Sequence, residues 1–160
     1  IATGCISTNG ARESLDWQTL ITIGASFGLG HALDRSGAAG EIATKLVEAA
    51  GDSSAYLLLG ALYALTGLFA AVVSSKAAAV LTYPIALAVS ASVGLSPQPF
   101  VLAIMYSAAA SFSTPLAYPT NLMVYGPGAY KFADFMKVGL PLNIALMFVA
   151  VYVIPQIWAF

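Results

Sequence analysis

Charge is what this sequence has least of. Lysine, arginine, aspartate and glutamate together supply 8% of its 160 residues, where soluble domains average roughly 25%. A soluble protein of this length leaves a large share of its residues at the water boundary and cannot do so with 59% hydrophobic residues. The chain is built for lipid. With a net charge of −1 it has no basic face, which excludes nucleic acid as a partner. The single cysteine, Cys5, can form no internal disulfide, has no metal-ligand spacing and reads as a packing residue. There is no HExxH zinc motif, no glycine-rich phosphate loop and no pair of carboxylates within the apolar part, so neither a metal nor an organic cofactor is expected. The opening Ile1-Ala2-Thr3-Gly4-Cys5 lacks the charged start of a signal peptide. It reads as the cut end of an earlier apolar segment, and the chain as the C-terminal part of something longer.

What is present is a pair of long uncharged arms. Ser53 to Ser75 carries no charged side chain, and neither does Ala77 to Tyr130. Between them stands Lys76, preceded by Ser74 and Ser75. An ionisable group inside a membrane is costly enough to be read as a functional-site candidate. Two unequal apolar arms around a small polar tip describe a re-entrant hairpin over 53–93; a full crossing, a turn and a second crossing is the alternative that periodicity leaves open. Lysine at the tip favours the hairpin, because irregular backbone at membrane depth needs protein or a water-filled cavity around it.

The flanking segments follow from the same reasoning. Residues 1–16 read as the end of a preceding helix and a polar link, with Asn9-Gly10 as its turn. Residues 17–52 read as a transmembrane helix from Trp17 to Leu33 followed by an amphipathic surface helix. About 20 apolar residues cross a bilayer core, so the first is short but usable. Its Gly24, Gly28 and Gly30 suggest close helix packing, and His31 near its end is either a proton relay or, more simply, an interfacial residue. In the second, Glu41, Lys45 and Glu48 share one face while Ile42, Leu46 and Ala49 form another, and Gly51-Asp52 end it. Gly94 to Pro99 is a turn.

Residues 94–130 read as a broken transmembrane helix. Pro115 and Pro119 each remove a backbone donor and disfavour helix just before themselves. The helix starting near Phe100 should therefore break over Thr114 to Asn121, freeing carbonyls and the side-chain oxygens of Thr114, Thr120 and Asn121. Residues 131–160 supply the last span: Lys131, Asp134 and Lys137 mark a short aqueous loop, and Val138 to Trp158 crosses, ending at an aromatic interface.

Broken membrane helices with small polar residues at mid-depth recur in secondary transporters, where half-helix N-termini face anions and unwound carbonyls hold sodium. An arm starting at Lys76-Ala77, with a lysine ammonium beside it, favours an anionic ligand. A membrane hydrolase with Ser74 or Ser75 as nucleophile and Lys76 as base is a rival reading, weakened because adjacent loop residues rarely meet and no His, Asp or Glu accompanies them; no catalytic residue is assigned. A structural membrane subunit explains the hydrophobicity but not the double proline break.

Three runs carry a resemblance: DWQTLITIGASFGLGHALDRSGAA, AAAVLTYPIALA and SFSTPLAYPTNLMVYGPGAYKFADFMKVGLPLN. They resemble the C-terminal repeat of the divalent anion/sodium symporter family of citrate-transporter-like permeases, over nearly the whole chain. TNLMVYGPG is similar to the branch that carries TrkA-type C-terminal domains. The resemblance implies an all-α integral membrane fold, the C-terminal inverted-repeat half of a secondary transporter with a re-entrant helical hairpin and a broken transmembrane helix. It implies sodium-coupled transport of a small divalent anion, sulfate or a di- or tricarboxylate, by an elevator-type shift, in a multi-pass protein of the plasma or inner membrane. Partners implied are the anion, sodium, the N-terminal repeat missing from this chain, a second copy in a homodimer, and the bilayer.

Carried over residue by residue, substrate contacts fall on Ser74, Ser75, Lys76, Ala77, Tyr118, Pro119, Thr120 and Asn121, and sodium contacts on Val73, Ser75 and Ala117. The family's tip reads Ser/Thr-Asn-Asn/Thr-Ala. Ser74 matches its first position, while Ser75 stands in place of Asn and Lys76 in place of Asn or Thr. The departure puts one sodium site in question. It motivates the expectation that the Lys76 ammonium replaces a sodium ion as counter-ion to the substrate; a drifted, inactive copy is the opposing reading.

Overall fold

A computed structural model describes residue 10, residues 17–50 and residues 55–160. The expectations on Cys5, Asn9, Gly51-Asp52 and the first five residues lie outside the described residues; Gly10 is helical. Among the described residues every regular element is an α-helix: α1 (Trp17–Arg35), α2 (Ala38–Ala50), α3 (Ala55–Val72), α4 (Ser75–Val93), α5 (Pro97–Ala109), α6 (Pro119–Tyr125) and α7 (Phe132–Ile157). Three of them, α3, α4 and α7, are long and apolar enough to cross a membrane. α1 is not among them: its glycines, His31 and the Asp34-Arg35 pair dilute it.

The arrangement turns on α4, which packs against α1, α2, α3 and α5. It can do so because its inner face is small: Ala78 and Ala86 are fully buried, with Ile85 and Val89 filling the spaces between neighbours. The core combines Leu58, Leu59, Leu62 and Tyr63 of α3 with Ile85 and Val89 of α4, Phe100, Ala103 and Ile104 of α5, and Ile154 of α7. Two hydroxyls buried in α3 and α4 are satisfied by their own helices, whereas that of Ser107 in α5 crosses to the Tyr63 carbonyl at 2.6 Å. Thr66 Oγ1 donates to the Leu62 carbonyl and Thr82 Oγ1 to that of Ala78, both at 2.8 Å, so neither carries an unpaired donor into the core.

The turns follow local chemistry. Gly94 ends α4 in the left-handed region (φ 68°), where glycine meets no Cβ penalty. The Leu95 N–H then donates to the Ser90 carbonyl at 3.0 Å. Two residues on, Ser96 caps α5 with Pro97 just inside it. Pro84 lies within α4 without ending it. Gly30 of α1 rests near that proline, with room for a Cβ 3.7 Å from Pro84 Cγ.

Three expectations are corrected. Gly24 and Gly28 have nothing within 4 Å of a Cβ built on them, so close packing of α1 is confined to Gly30. In α2 the buried positions are Ala39 and Ala43, supported by half-buried Ile42, Leu46 and Val47, while Ala49 is exposed; small alanines let α2 lie directly on α4. Its outer face carries the expected Glu41–Lys45 pair at 3.2 Å. Finally, Lys131, Asp134 and Lys137 are not a loop. Lys131 is the N-cap of α7 and its N–H donates to Asp134 Oδ2 at 2.8 Å. An acidic side chain in the first turn favours helix there, so α7 begins six residues before Val138.

Phe100 is fully buried, with its ring 5.7 Å from that of Phe160. Phe100→Ala is expected to destabilise the detergent-solubilised protein by about 3–5 kcal/mol, seen as a lowered midpoint in a thermal-unfolding assay. An unchanged midpoint would mean that this core does not hold the bundle together.

Candidate functional site

The break is longer than the prolines alone suggest. α5 stops at Ala109, and 110–118 is irregular before α6 starts at Pro119. Pro115 reaches upstream: in a continued helix its ring would press on the carbonyl four residues back, that of Ser111. That carbonyl is freed and takes another donor, Asn121 Nδ2, at 3.1 Å. The same amide donates to the Thr114 carbonyl at 3.1 Å. Asn121 thus closes the break on itself, joining its two ends across ten residues.

Two further ties come from the hairpin. Thr114 Oγ1 donates to the Ala71 carbonyl in the last turn of α3 at 2.9 Å. Ser75, the first residue of α4 and buried, reaches Ala117 twice: its Oγ donates to the Ala117 carbonyl at 2.8 Å and its N–H to the same oxygen at 3.3 Å. The tip and the break are therefore one unit, although 42 residues separate them in sequence. Ser74 caps α4: its Oγ accepts from the Ala77 N–H at 3.3 Å, and its carbonyl accepts from Ala78 at 2.9 Å. Lys76 follows, exposed.

Of the residues singled out in the sequence, Ser75, Ala117 and Asn121 are drawn into this polar junction. Ser74 and Ala77 adjoin it through the cap. Tyr118, Pro119 and Thr120 are exposed at the start of α6, and Val73 is exposed just before the cap. The hydroxyl of Thr114, expected to be free, is a donor to α3, and the Asn121 amide is a donor to two carbonyls. Several N–H groups at the start of α4 are also engaged, those of Ser75, Ala77 and Ala78, so side chains have the larger part in anything the tip binds. His31 lies apart, exposed on α1 beside a groove formed with α4. No group of His, Cys, Asp and Glu able to hold a metal ion occurs among the described residues.

Two residues missed in the sequence reading also touch the break, both from α7. Asn143 Oδ1 accepts from the Phe112 N–H at 3.4 Å, and its Nδ2 donates to Ser113 Oγ at 3.3 Å. Gly139, one turn earlier and buried, lies so near that a Cβ there would overlap the Phe112 carbonyl.

All 160 residues match the family described as citrate transporter. The chain belongs to that family. Among its relatives, an uncharacterized transporter of Escherichia coli (strain K12), YfbS, is 36% identical over 156 residues, 98% of this chain and 26% of that protein. Sodium/sulfate cotransporter 1 of Chlamydomonas reinhardtii is 34% identical over 157 residues, 96% of this chain and 18% of that protein. Probable sodium/sulfate cotransporter 3 of the same alga is 33% identical over 168 residues, 99% of this chain and 18% of that protein. The chain thus spans about a quarter or less of the length of these relatives. Membership of a transporter family, with three helices among the described residues fit to cross a bilayer, makes this a multi-pass integral membrane protein. Family and relatives point away from an enzyme.

Ser75→Ala removes a buried donor and leaves the Ala117 carbonyl with the weaker of its two partners. It is expected to cost about 1–3 kcal/mol in detergent-based thermal unfolding, with Ser75→Thr, which keeps the hydroxyl, closer to the parent. Equal effects of the two would argue that the hydroxyl is not what joins tip to break.

Proposed function

We propose that this chain supplies the anion-binding half of a secondary transporter that carries a small divalent anion, with sulfate the foremost candidate and a di- or tricarboxylate the second, in symport with sodium. The observation that carries this reading is the double hydrogen bond from Ser75 to Ala117. It joins the interruption between two apolar helices to the interruption of a third, and such junctions of broken helices are where membrane transporters hold ions and substrates. Two relatives named as sodium/sulfate cotransporters, at 34% and 33% identity, favour sulfate and sodium over other solutes.

The length of α5 supports a junction inside the membrane. α5 has 13 residues and rises about 20 Å, less than the roughly 30 Å of a bilayer's hydrocarbon core. On this reading α5 starts from the Gly94–Ser96 turn at one surface and ends within the membrane. On the same reading the tip, hydrogen-bonded to the break, lies inside the membrane with it, α3 and α4 form a re-entrant hairpin over 53–93, and α5, the break and α6 form a broken transmembrane helix over 94–130. α1 and α2 then form the transmembrane and surface helices of 17–52, and α7 the last span of 131–160. The partner repeat, an elevator-type shift of hairpin and broken helix, and a homodimer complete the proposal.

The anion would meet Ser74, Ser75, Lys76 and Ala77 on one side and Tyr118, Pro119, Thr120 and Asn121 on the other. Sodium would meet carbonyl and hydroxyl oxygens of Val73, Ser75 and Ala117. Lys76 adds a compact positive charge at the tip and takes over the part of one sodium ion as counter-ion. Radiolabelled sulfate and succinate uptake into proteoliposomes containing the full-length protein, with and without sodium, tests this. Sulfate uptake is expected to need sodium and to fall about tenfold or more in Lys76→Met, the loss of one charge-assisted contact. Lys76→Asn is expected to raise the sodium requirement. Absence of uptake for both anions would overturn the transport reading; sulfate uptake indifferent to Lys76→Asn and Lys76→Met would remove the lysine from it.

A further inference from the structure

The irregular segment 110–118 is flanked by space. On one side, a cavity of about 300 Å³ is lined by Gly67 and Ala71 of α3, Ser113 and Thr114 of the break, and Leu140 and Asn143 of α7. On the other, a groove of about 490 Å³ is lined by Phe112, Asn121, Val124, Phe135, Val138 and Gly139. Besides the ties of Thr114 to Ala71 and of Asn121 to Ser111, the first part of the break is held from the side of α7. What separates the two spaces is the contact between α7 and the backbone of Phe112 and Ser113.

That contact has two components. Gly139 sets a limit of approach: a Cβ there would run into the Phe112 carbonyl and the Ser113 nitrogen, backbone atoms rather than the movable end of a side chain. Asn143, on the same face one turn on, holds the same two residues through opposite ends of one carboxamide, accepting from the Phe112 N–H and donating to Ser113 Oγ. At 3.4 and 3.3 Å both bonds are longer than the common 2.9–3.0 Å. The steric limit and the two bonds fall on the same two residues, Phe112 and Ser113.

We infer that Gly139 and Asn143 are positioning residues: they fix the depth and tilt of the break, and through it the Ala117 carbonyl and the Asn121 amide, without touching the ligand. Their effect on transport rests on the proposed function; their effect on the break does not. Because alanine is a better helix former than glycine, a glycine without this contact would gain stability on replacement, so the sign of the change is informative.

The test uses the full-length protein with Gly139→Ala, Asn143→Leu and Asn143→Gln. Amide hydrogen exchange is followed over 110–121 and, as control, over 82–90 of α4, alongside the concentration dependence of sulfate uptake. Gly139→Ala and Asn143→Leu are expected to speed exchange in 110–121 by about tenfold while the α4 control stays unchanged. They are expected to raise the KM for sulfate by about fivefold or more with the maximal rate within about twofold, and Asn143→Gln to lie between them and the parent. A uniform rise in exchange across both segments, or a stabilised Gly139→Ala with unchanged exchange and KM, would overturn the inference. If the parent protein takes up no sulfate, the proposed function fails, and the exchange comparison alone decides the role of these two residues.

Discussion

A broken helix inside lipid survives only if every backbone group it frees finds a partner within the protein. That constraint organises the site. The break between α5 and α6 is tied to α3 through Thr114, to α4 through Ser75, to its own far end through Asn121 and to α7 through Asn143. Each tie is a short polar side chain meeting a backbone group. The packing supports the same end: with Ala78 and Ala86 fully buried along α4, helices approach closely enough for one-atom hydroxyls to bridge them. Larger side chains on those faces would hold the backbones too far apart for serine or threonine to reach.

How much of this is legible in the sequence depends on the range over which each residue acts. The turn after α4 and the Glu41–Lys45 pair are local: the pair stands where spacing places it, and the turn is shorter than expected, Gly94 to Ser96, with helix resuming at Pro97. The break itself is announced by Pro115 and Pro119, but its start at Ala110 is not. Pro115 acts on the Ser111 carbonyl four residues upstream, and the partner that accepts the displaced backbone, Gly139, lies in another helix. The same distance hides the ties. Ser75 and Ala117 are 42 residues apart, and nothing in a stretch reading SSKAAAVL or STPLAYPT names the other as its neighbour.

The misplaced residues share a cause as well. Ala49 looked like part of an apolar face because alanine counts as hydrophobic, yet burial in α2 fell to Ala39 and Ala43, chosen by how near α4 can come. Gly24 and Gly28 looked like packing residues for the same reason as Gly30, but only Gly30 sits opposite Pro84. Small residues report that close approach is possible; where it happens is decided by the partner's surface. Charged residues misled in the opposite direction, since Asp134 looked like loop and is a helix start.

The departure of the tip from the family pattern gains meaning from the geometry. Where the resemblance implies asparagine, this chain has Ser75, whose hydroxyl is committed as a donor to Ala117. A carboxamide there would offer a carbonyl oxygen to a cation while its NH₂ made the tie; a hydroxyl must do both with one atom. The tip is therefore poorer in oxygen ligands than the family pattern, and the next residue brings a positive charge. On the proposed reading these two changes belong together. Fewer oxygens weaken the hold on a bound cation, and an ammonium two residues from the cap of the same helix supplies the positive charge that the anion would otherwise draw from that cation. The backbone junction is indifferent to the exchange, because the tie to Ala117 needs only a short donor, which serine and asparagine both provide.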